Sequence, residues 1–378
     1  MKKSTLQLGY ALLNTIGDNG HEAYIVGGAV RDTFMEKELV DLDIVTSADM
    51  SEIIAIFPQA TAIHTTVPLA SMVMNGVHVE ISELNGQPIV ENLAFRDFTV
   101  NAIALNAEGE KIDPFLGEQD IQAGVLRLID PVAITRDPLR ILRVARFMAV
   151  YNLRPDQKLN DTCEVKQKLL HEVSPERIGQ EMNRLLSSDD ASKGLIWLWR
   201  RGVIAELFSG TRMSPSPSFA AVAEAETLSE KWVIFLYMIG ERDVRESLRK
   251  WRLSKKWIKN AERLFFYMKK RLSSVWSKHS LYHAGVALAV QAERTAHMLS
   301  DTVPGGKLDV ERLIASLPIQ SRQEIAVHPL EVSSYLNKEP GEWLGKILHE
   351  LEIAIIDERI SNEREALLAW VKERLYET

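Results

Sequence analysis

The feature of this sequence that most constrains its fold is the confinement of strand signals to the first third of the chain. Runs of β-forming residues occur at positions 24–26 and 42–45, and two more flank Asn75-Gly76, a dipeptide typical of tight hairpin turns. From about residue 130 onward the apolar residues recur with helical spacing, interrupted at proline and glycine clusters such as 209–217. The pattern predicts an α+β protein with a small mixed-sheet head followed by a helical remainder.

The composition excludes several classes of protein. The 378 residues include one cysteine, Cys163, so a disulfide framework is excluded and a cysteine-based zinc site is not expected. The chain lacks an apolar run of about 18 residues, and its first residues are too polar for a signal peptide. A cytoplasmic protein without a membrane anchor is therefore predicted. The net charge of −7 gives no general support for nucleic-acid binding, so the location of the basic residues matters more.

Asp41 and Asp43 are the first candidate catalytic residues. They lie two positions apart at the start of a predicted strand, so both side chains point to one face. Magnesium prefers carboxylate oxygens together with water and phosphate oxygens. Two such ions can activate a hydroxyl and stabilise a leaving pyrophosphate. Taken alone, the pair is more typical of a solvated acidic strand edge, because the pattern is common.

The residues before this pair favour the catalytic interpretation. A strand ends in Gly27-Gly28 and a helix follows, which allows backbone N–H groups to approach a phosphate. Arg31, one turn into the helix, can add a charged contact to a triphosphate. A Gly-Gly turn alone is equally a tight connection between a strand and a helix. Followed by an arginine and a spaced pair of acids, it predicts a nucleotide site.

A second candidate site is a predicted helix rich in arginine. Asp137, Arg140, Arg143 and Arg146 recur every three residues and form one broad polar face. Donors and acceptors held rigidly on one helix can recognise the edge of a nucleobase. A salt-bridged solvent face is the alternative. The motifs upstream favour the functional interpretation.

Residues 24–32, together with Asp41 and Asp43, resemble the head of the class II tRNA nucleotidyltransferases and bacterial poly(A) polymerases. These enzymes belong to the DNA-polymerase-β-like nucleotidyltransferases. The resemblance implies that Gly28 and Arg31 contact the nucleotide and that the two acids bind Mg²⁺. It therefore gives the acid pair a specific role.

The resemblance continues downstream. Residues 96–102 are similar to the family motif R-R-D-F-T-x-N-A, which implies that Arg96 contacts the sugar or phosphate and that Asp97 serves the ribose. The first arginine of that motif is Phe95 here. Glu80 lies on a later predicted strand, where such folds often carry a third catalytic carboxylate. A surface acid on a hairpin is the alternative for Glu80.

The arginine-rich helix is similar to the family motif E-D-x-x-R. In the family the aspartate and the arginine pair with the incoming base, and the glutamate orients that arginine. The resemblance implies that Asp137 and Arg140 test the base and that Arg143 and Arg146 support the same face. Arg136 stands where the family has the glutamate. This departure reverses a charge beside the base-reading residues.

The helical remainder extends the resemblance to the end of the chain. Basic residues concentrate at 245–271 beside Trp251 and Trp257, as in a surface that follows an RNA backbone or in a solvated helix face. Residues 340–348 resemble the tRNA-gripping C-terminal module of Firmicutes-type CCA-adding enzymes, which favours a tRNA enzyme over a poly(A) polymerase. We expect an elongated arrangement of a catalytic head (1–128), a base-recognising neck (129–190), a body (191–270) and a tRNA-binding tail (271–378).

The segment between Asp43 and Arg96 is short. CCA-adding members of the family carry a flexible loop there that is associated with the switch from CTP to ATP, and its loss is associated with CC-adding enzymes. Together with Arg136, the short segment predicts an enzyme that adds two cytidines from CTP to tRNA. A complete CCA-adding enzyme that also uses ATP is the main alternative. A poly(A) polymerase or a non-catalytic RNA-binding relative is less favoured, because both acids are present.

Overall fold

The computed structural model describes residues 2–63, 68–208 and 218–376. The chain divides into two compact units, Met1–Gly210 and Thr211–Thr378. The interruption expected at 209–217 lies outside the described residues, and the four-part division into head, neck, body and tail stays a prediction. Within the described ranges, no helix has both the length and the apolar character needed to cross a bilayer.

The first unit is built around a seven-stranded mixed sheet. Its strands are β1 (Ala23–Val26), β2 (Asp41–Thr46), β3 (Thr61–Ile63), β4 (Leu69–Met74), β5 (Val77–Glu83), β6 (Ala104–Leu105) and β7 (Lys111–Ile112). They lie in the order β3-β4-β5-β2-β1-β6-β7. Strands β2 and β5 run parallel, and the other described neighbours run antiparallel. Strand β2 therefore lies at the centre of the sheet.

The hairpin expected around Asn75-Gly76 joins β4 to β5. Both residues have positive φ, 52° and 78°, which a two-residue type I′ turn requires. Strands β6 and β7 pair antiparallel in the same way. Apolar side chains of β1, β2 and β5 form one buried core with those of the first helices. The alternation of polar and apolar residues along β2 directs its acids away from this core.

Helices surround the sheet and continue beyond it. Those of the first unit are α1 (Lys2–Asp18), α2 (Gly28–Phe34), α3 (Met50–Ile56), α4 (Ile89–Ala94), α5 (Gly117–Ala123), α6 (Ala133–Arg136), α7 (Arg140–Tyr151), α8 (Gln157–Lys166), α9 (Pro175–Leu186), α10 (Ala191–Arg200) and α11 (Val203–Leu207). At the start of helix α9 the Ser174 hydroxyl accepts from the N–H of Arg177, and Pro175 lies in the first turn. Helix α7 packs against both α9 and α10.

Two features of the first unit differ from expectation. Strand β8 (Val125–Leu126) pairs in parallel with β9 (Arg154–Pro155), although strand signals end near residue 130. The pairing is too short, and too dependent on a proline, to produce an alternating pattern. Asp137 does not lie on the arginine-rich helix but between α6 and α7, with φ −144°. Its extended backbone follows from Pro138, because a residue that precedes proline disfavours helical angles.

The second unit is helical throughout its described residues. Its helices are α12 (Ala220–Glu224), α13 (Leu228–Met238), α14 (Val244–Lys250), α15 (Lys255–Ser273), α16 (Lys278–Ala284), α17 (Val286–Leu299), α18 (Val310–Ala315), α19 (Pro329–Tyr335), α20 (Glu342–Ile356) and α21 (Arg364–Tyr376). Side chains of Asp243, Ser254 and Ser277 cap successive helices. The prediction of a mixed-sheet head followed by helices is confirmed.

One member of the predicted basic surface is internal. Arg271 is buried on α15, where its Nε donates to Oε2 of Glu293 at 2.5 Å. Its Nη1 and Nη2 donate to the carbonyl oxygens of Pro304 at 2.7 Å and Gly306 at 2.6 Å. Arg271 therefore joins α15 to the loop after α17, and the assignment of this arginine to a basic surface was wrong.

Candidate active site

Asp41 and Asp43 lie together on the central strand β2. Both carboxylates border a cavity of about 690 Å³ within the first unit. Asp43 is paired in register with Val26, the last residue of β1, on one side and with Glu80 of β5 on the other. The end of β1 therefore brings the glycine turn directly against the acid pair.

The turn after β1 requires a glycine. Gly27 has a φ of 66°, and a Cβ atom at this position would lie 3.1 Å from Oδ2 of Asp43 and 3.2 Å from Nη1 of Arg96. Both the backbone conformation and the available space exclude a side chain without rearrangement. The N–H of Gly28 lies close enough to the Asp43 carboxylate to act on its pKa. The predicted turn thus brings main-chain donors and the acid pair to one edge of the cavity.

The charges around Asp43 favour a bound cation. Burial raises the pKa of Asp43, and the nearby Asp41 raises it further. Arg96, Arg31 and the Gly28 N–H act in the opposite direction, but the net change is upward. A divalent cation shared by the two carboxylates would offset both the loss of water and the mutual repulsion. The site therefore has two neighbouring carboxylates that a divalent cation could share.

Glu80 lies beside this pair. Its side chain is well exposed, approaches Nδ1 of His78 at 3.9 Å and does not border the cavity. Burial and the charge of Asp43 raise the pKa of Glu80. Among the described residues, no group of three or more acids, histidines or cysteines is arranged to hold a metal. Asp41 and Asp43 form a pair, and a catalytic role for Glu80 stays a prediction.

Arg31 is anchored inside the head. Only 6% of the residue is exposed, although it borders the cavity. Its Nη1 donates to Oδ1 of Asn101 at 2.5 Å and its Nε to Oδ1 of Asp32 at 2.9 Å. Its Nη2 donates to the Tyr151 hydroxyl, and Cζ lies 4.1 Å from the centroid of that ring. Besides any contact with a nucleotide, Arg31 therefore links α2 to α7.

Asp97 anchors the arginine-rich helix. It is 5% exposed and accepts from Nε of Arg143 at 2.7 Å, from Nδ2 of Asn101 at 2.7 Å and from the N–H of Phe98 at 2.9 Å. Burial raises the pKa of Asp97, but the charge of Arg143 and these hydrogen bonds lower it by more, so the net change is downward. Protein donors therefore occupy the carboxylate that the resemblance assigns to the ribose.

The remaining arginines of α7 are also fixed by neighbours. Arg146 donates from Nε to Oε1 of Glu181 at 2.5 Å, and Glu181 is buried on α9. Arg140 donates to main-chain carbonyl oxygens at the end of α4. Arg177 of α9 donates to Oδ2 of Asp137 at 2.9 Å, while Oδ1 of Asp137 is buried and has no hydrogen-bond partner. An unpartnered acceptor at the cavity wall favours a donor on a ligand.

The cavity brings together all the predicted nucleotide-binding and metal-binding residues. They are Gly28, Arg31, Asp41, Asp43, Arg96, Asp137, Arg140, Arg143 and Arg146. Sequence reasoning did not identify Asn101 or Tyr151 as partners of Arg31, and it did not identify Arg177 and Glu181 as cavity residues. The i, i+4 spacing of Arg177 and Glu181 on a helix gave a usable signal, since such residues share a face. Tyr151 gave none.

Comparison with known proteins identifies the family. Residues 23–87 and 70–127 match the poly A polymerase head domain, residues 156–213 match an RNA and SrmB-binding site of polymerase A, and residues 223–371 match domain 2 of tRNA nucleotidyltransferases. A CCA-adding enzyme of Bacillus cereus is 32% identical over 96% of this chain and 97% of its own. The chain belongs to the family of CCA-adding tRNA nucleotidyltransferases. A Bacillus anthracis CCA-adding enzyme is 31% identical over the same fractions.

Solved structures of this family share the fold. The Bacillus stearothermophilus CCA-adding enzyme in complex with CTP has a TM-score of 0.82 and 27% identity, over 98% of this chain and 97% of that one. The Thermotoga maritima CCA-adding enzyme complexed with tRNA has a TM-score of 0.67 and 20% identity, over 99% and 96%. The predicted family is confirmed, and so is the assignment to RNA nucleotidyltransferases.

Proposed function

We propose that this nucleotidyltransferase adds two cytidines from CTP to the 3′ terminus of tRNA and then stops. The observation that carries this proposal is the connection between β5 and α4, which consists of residues 84–88 alone. In family members that switch from CTP to ATP, a flexible loop occupies this region. A connection of this length has no room for such a loop, so the element associated with the change from CTP to ATP is missing.

A second observation supports the same proposal. Arg136 occupies the position of the family glutamate that orients the base-reading arginine, and it pairs with Asp130 at 3.5 Å. A cation cannot accept a hydrogen bond from Arg140, so the family's arrangement for moving that arginine is missing. One base, cytosine, is therefore the substrate that we propose.

The acid pair fits magnesium. The described cavity wall offers two carboxylates on one strand and no soft ligand, and Mg²⁺ takes few protein oxygens and completes its shell with water and phosphate oxygens. Asp41 and Asp43 would hold Mg²⁺, which when bound lowers the pKa of the attacking hydroxyl and neutralises the departing pyrophosphate. Two protein carboxylates on one strand agree with a metal site whose remaining ligands are water and the phosphate oxygens of the substrate.

The chain's own groups would do the rest. In the reaction the tRNA 3′-hydroxyl attacks the α-phosphate of CTP, and pyrophosphate leaves. The Gly28 main chain and Arg96 line the wall next to Asp43 and would hold the phosphates. Oδ1 of Asp137 would accept from the exocyclic amino group of cytosine, and a free N–H of Arg140 would donate to its ring acceptors. No nucleic-acid template is needed, because the protein supplies the pattern.

The tRNA itself would also contact the second unit. A cavity of about 930 Å³ lies between α14 and α15, with Arg242, Lys259 and Lys269 at its edge and exposed Phe266 in its wall. Cations beside an exposed aromatic ring suit an RNA backbone with an unstacked base. The reaction would take place in the cytoplasm, which the sequence predicts.

The test uses purified protein, tRNA that lacks its 3′ end, and labelled CTP and ATP. We expect two cytidines per tRNA and no adenosine, with Asp41→Ala as the control for catalysis by the acid pair. Efficient addition of adenosine after the two cytidines would instead assign the chain as a complete CCA-adding enzyme, the activity named for its relatives. RNA binding without any incorporation would make it a non-catalytic homologue.

A further inference from the structure

Phe95 and Arg136 are in contact although they lie on different elements. Cζ of Arg136, the last residue of α6, is 5.6 Å from the centroid of the Phe95 ring. The ring is 56% exposed and borders the cavity, yet it lies against this cation instead of in an apolar core. Nη2 of Arg136 also pairs with Oδ2 of Asp130 at 3.5 Å. Arg136 therefore contacts both Phe95, at the cavity wall, and Asp130.

The backbone of Phe95 holds the base-reading arginine. Nη2 of Arg140 donates to the carbonyl oxygen of Phe95 at 2.9 Å, and Nη1 donates to that of Arg96 at 3.1 Å. Phe95 is the residue that ends α4. The last carbonyls of a helix lack partners within it and carry partial negative charge, so a guanidinium binds there favourably. The direction in which Arg140 faces the cavity therefore depends on where Phe95 lies.

Both contacting positions depart from the family motifs. The motifs have an arginine where this chain has Phe95 and a glutamate where it has Arg136, which are opposite charges at positions that touch. Here an aromatic ring and a cation replace them. An arginine at 95 alone would face the charge of Arg136, and a glutamate at 136 alone would face Asp130. Arg136 is therefore compatible with Phe95 and not with the motif arginine at 95, and a glutamate at 136 has a cation to pair with only if 95 is an arginine.

We propose that Phe95 and Arg136 are a positioning pair that fixes Arg140 through the Phe95 carbonyl, and that this linkage sets the preference for cytosine over adenine. The carbonyls of 95 and 96 hold Arg140 in the way that a glutamate at 136 does elsewhere in the family. The choice of cytosine rests on the proposed function, whereas the coupling of the three residues does not.

The experiment is a double-mutant cycle with Phe95→Arg, Arg136→Glu and the double variant, and with Phe95→Tyr as the matched control that keeps the ring. Each single charge variant is expected to raise the KM for CTP about tenfold while kcat changes less than about twofold, because Arg140 is misplaced before chemistry. The double variant forms an ion pair and is expected to recover to within about threefold of the wild type. Phe95→Tyr should match the wild type.

Additive effects overturn the proposal. If the two KM increases multiply in the double variant, or if neither single variant changes KM, the pair does not position Arg140. The Kd for CTP in the absence of tRNA, measured by calorimetry, should rise in each single variant and recover in the double variant. A variant that is merely unstable would not regain CTP binding in this way. If the wild type adds adenosine after two cytidines, the CC-only function is refuted. The double-mutant cycle then still tests whether Phe95 and Arg136 are coupled. If the protein stops after two cytidines but the effects of the two substitutions are additive, only the positioning role of Phe95 and Arg136 is refuted.

Discussion

The Asp97→Asn variant gives the sharpest test of how the arginine-rich helix α7 is held. The Asp97 carboxylate lies in the interior and accepts from Arg143, Asn101 and the N–H of Phe98. An asparagine can accept at only one of its two head-group atoms and turns an N–H towards donors. Breaking a buried ion pair costs about 3–5 kcal/mol. Because Arg143 retains 28% side-chain exposure, water replaces part of the loss, and we expect about 3 kcal/mol.

Calorimetric unfolding at pH 7 measures this loss. For a unit of this size about 3 kcal/mol corresponds to a decrease in Tm of about 6–12 °C. The matched control is Asp190→Asn, which removes an exposed carboxylate paired with Lys193 at 2.8 Å. Exposed pairs contribute little, so the control should change stability by less than about 1 kcal/mol.

The pH dependence provides an independent check on Asp97. The pKa of its carboxyl is lowered in the folded protein, so the folded state binds fewer protons than the unfolded state between the two pKa values. The stability gained from Asp97 is complete above the unfolded pKa of about 4 and is lost as the pH falls through the folded one. The difference between wild type and Asp97→Asn should therefore shrink below about pH 4. The reasoning would be refuted if the stability loss of Asp97→Asn did not change with pH, or if Asp190→Asn lost as much stability as Asp97→Asn.

Three further predictions concern single residues. Gly27→Ala should lower nucleotide incorporation at least about 100-fold, because the added Cβ displaces Asp43 or its neighbours. The control is Gly76→Ala, which is also at positive φ but where an added Cβ would have nothing within 4 Å. It should cost only about 1 kcal/mol of stability and leave the rate unchanged. Asp41→Ala should abolish incorporation with little change in Tm; full incorporation would refute its role in metal binding. Cys163 is buried and its pKa is raised to about 12, so native protein at pH 8 should resist a thiol reagent that reacts with one thiol after denaturation. Rapid native reaction would contradict that burial.

The sequence predicted those parts of the fold and the site that depend on local pattern. Alternation along β2 and the Gly27 turn are local features, and they are sufficient to bring Asp43 against the glycines. The position of Asp137 needed one more local rule, since Pro138 alone indicates that the arginine-rich helix starts later. The turns, the faces of the strands and the start of the arginine-rich helix could thus be predicted from residues that lie close in the chain.

Contacts between distant segments could not be predicted in this way. Arg31 binds Asn101 and Tyr151, which are 70 and 120 positions away, and no periodicity encodes such a distance. The contact between Phe95 and Arg136 is of the same kind. The sequence identified both residues as departures from family motifs, but their complementarity depends on a contact between the residue that follows α4 and the last residue of α6. Two substitutions that compensate for each other in space can be recognised as a pair only when their contact is known.

The tethering of the arginines on α7 has a thermodynamic consequence for substrate choice. Each guanidinium already has its partner in the free protein, so under the proposed function CTP would not have to order long side chains as it binds, and that entropy was lost during folding. Under the same proposal, reading a different base would require Arg140 to leave two carbonyl acceptors. Charged hydrogen bonds contribute about 1.5–3 kcal/mol each, which is more than tenfold in affinity. A pocket built this way gains affinity for one base from the same rigidity that prevents it from adapting to another.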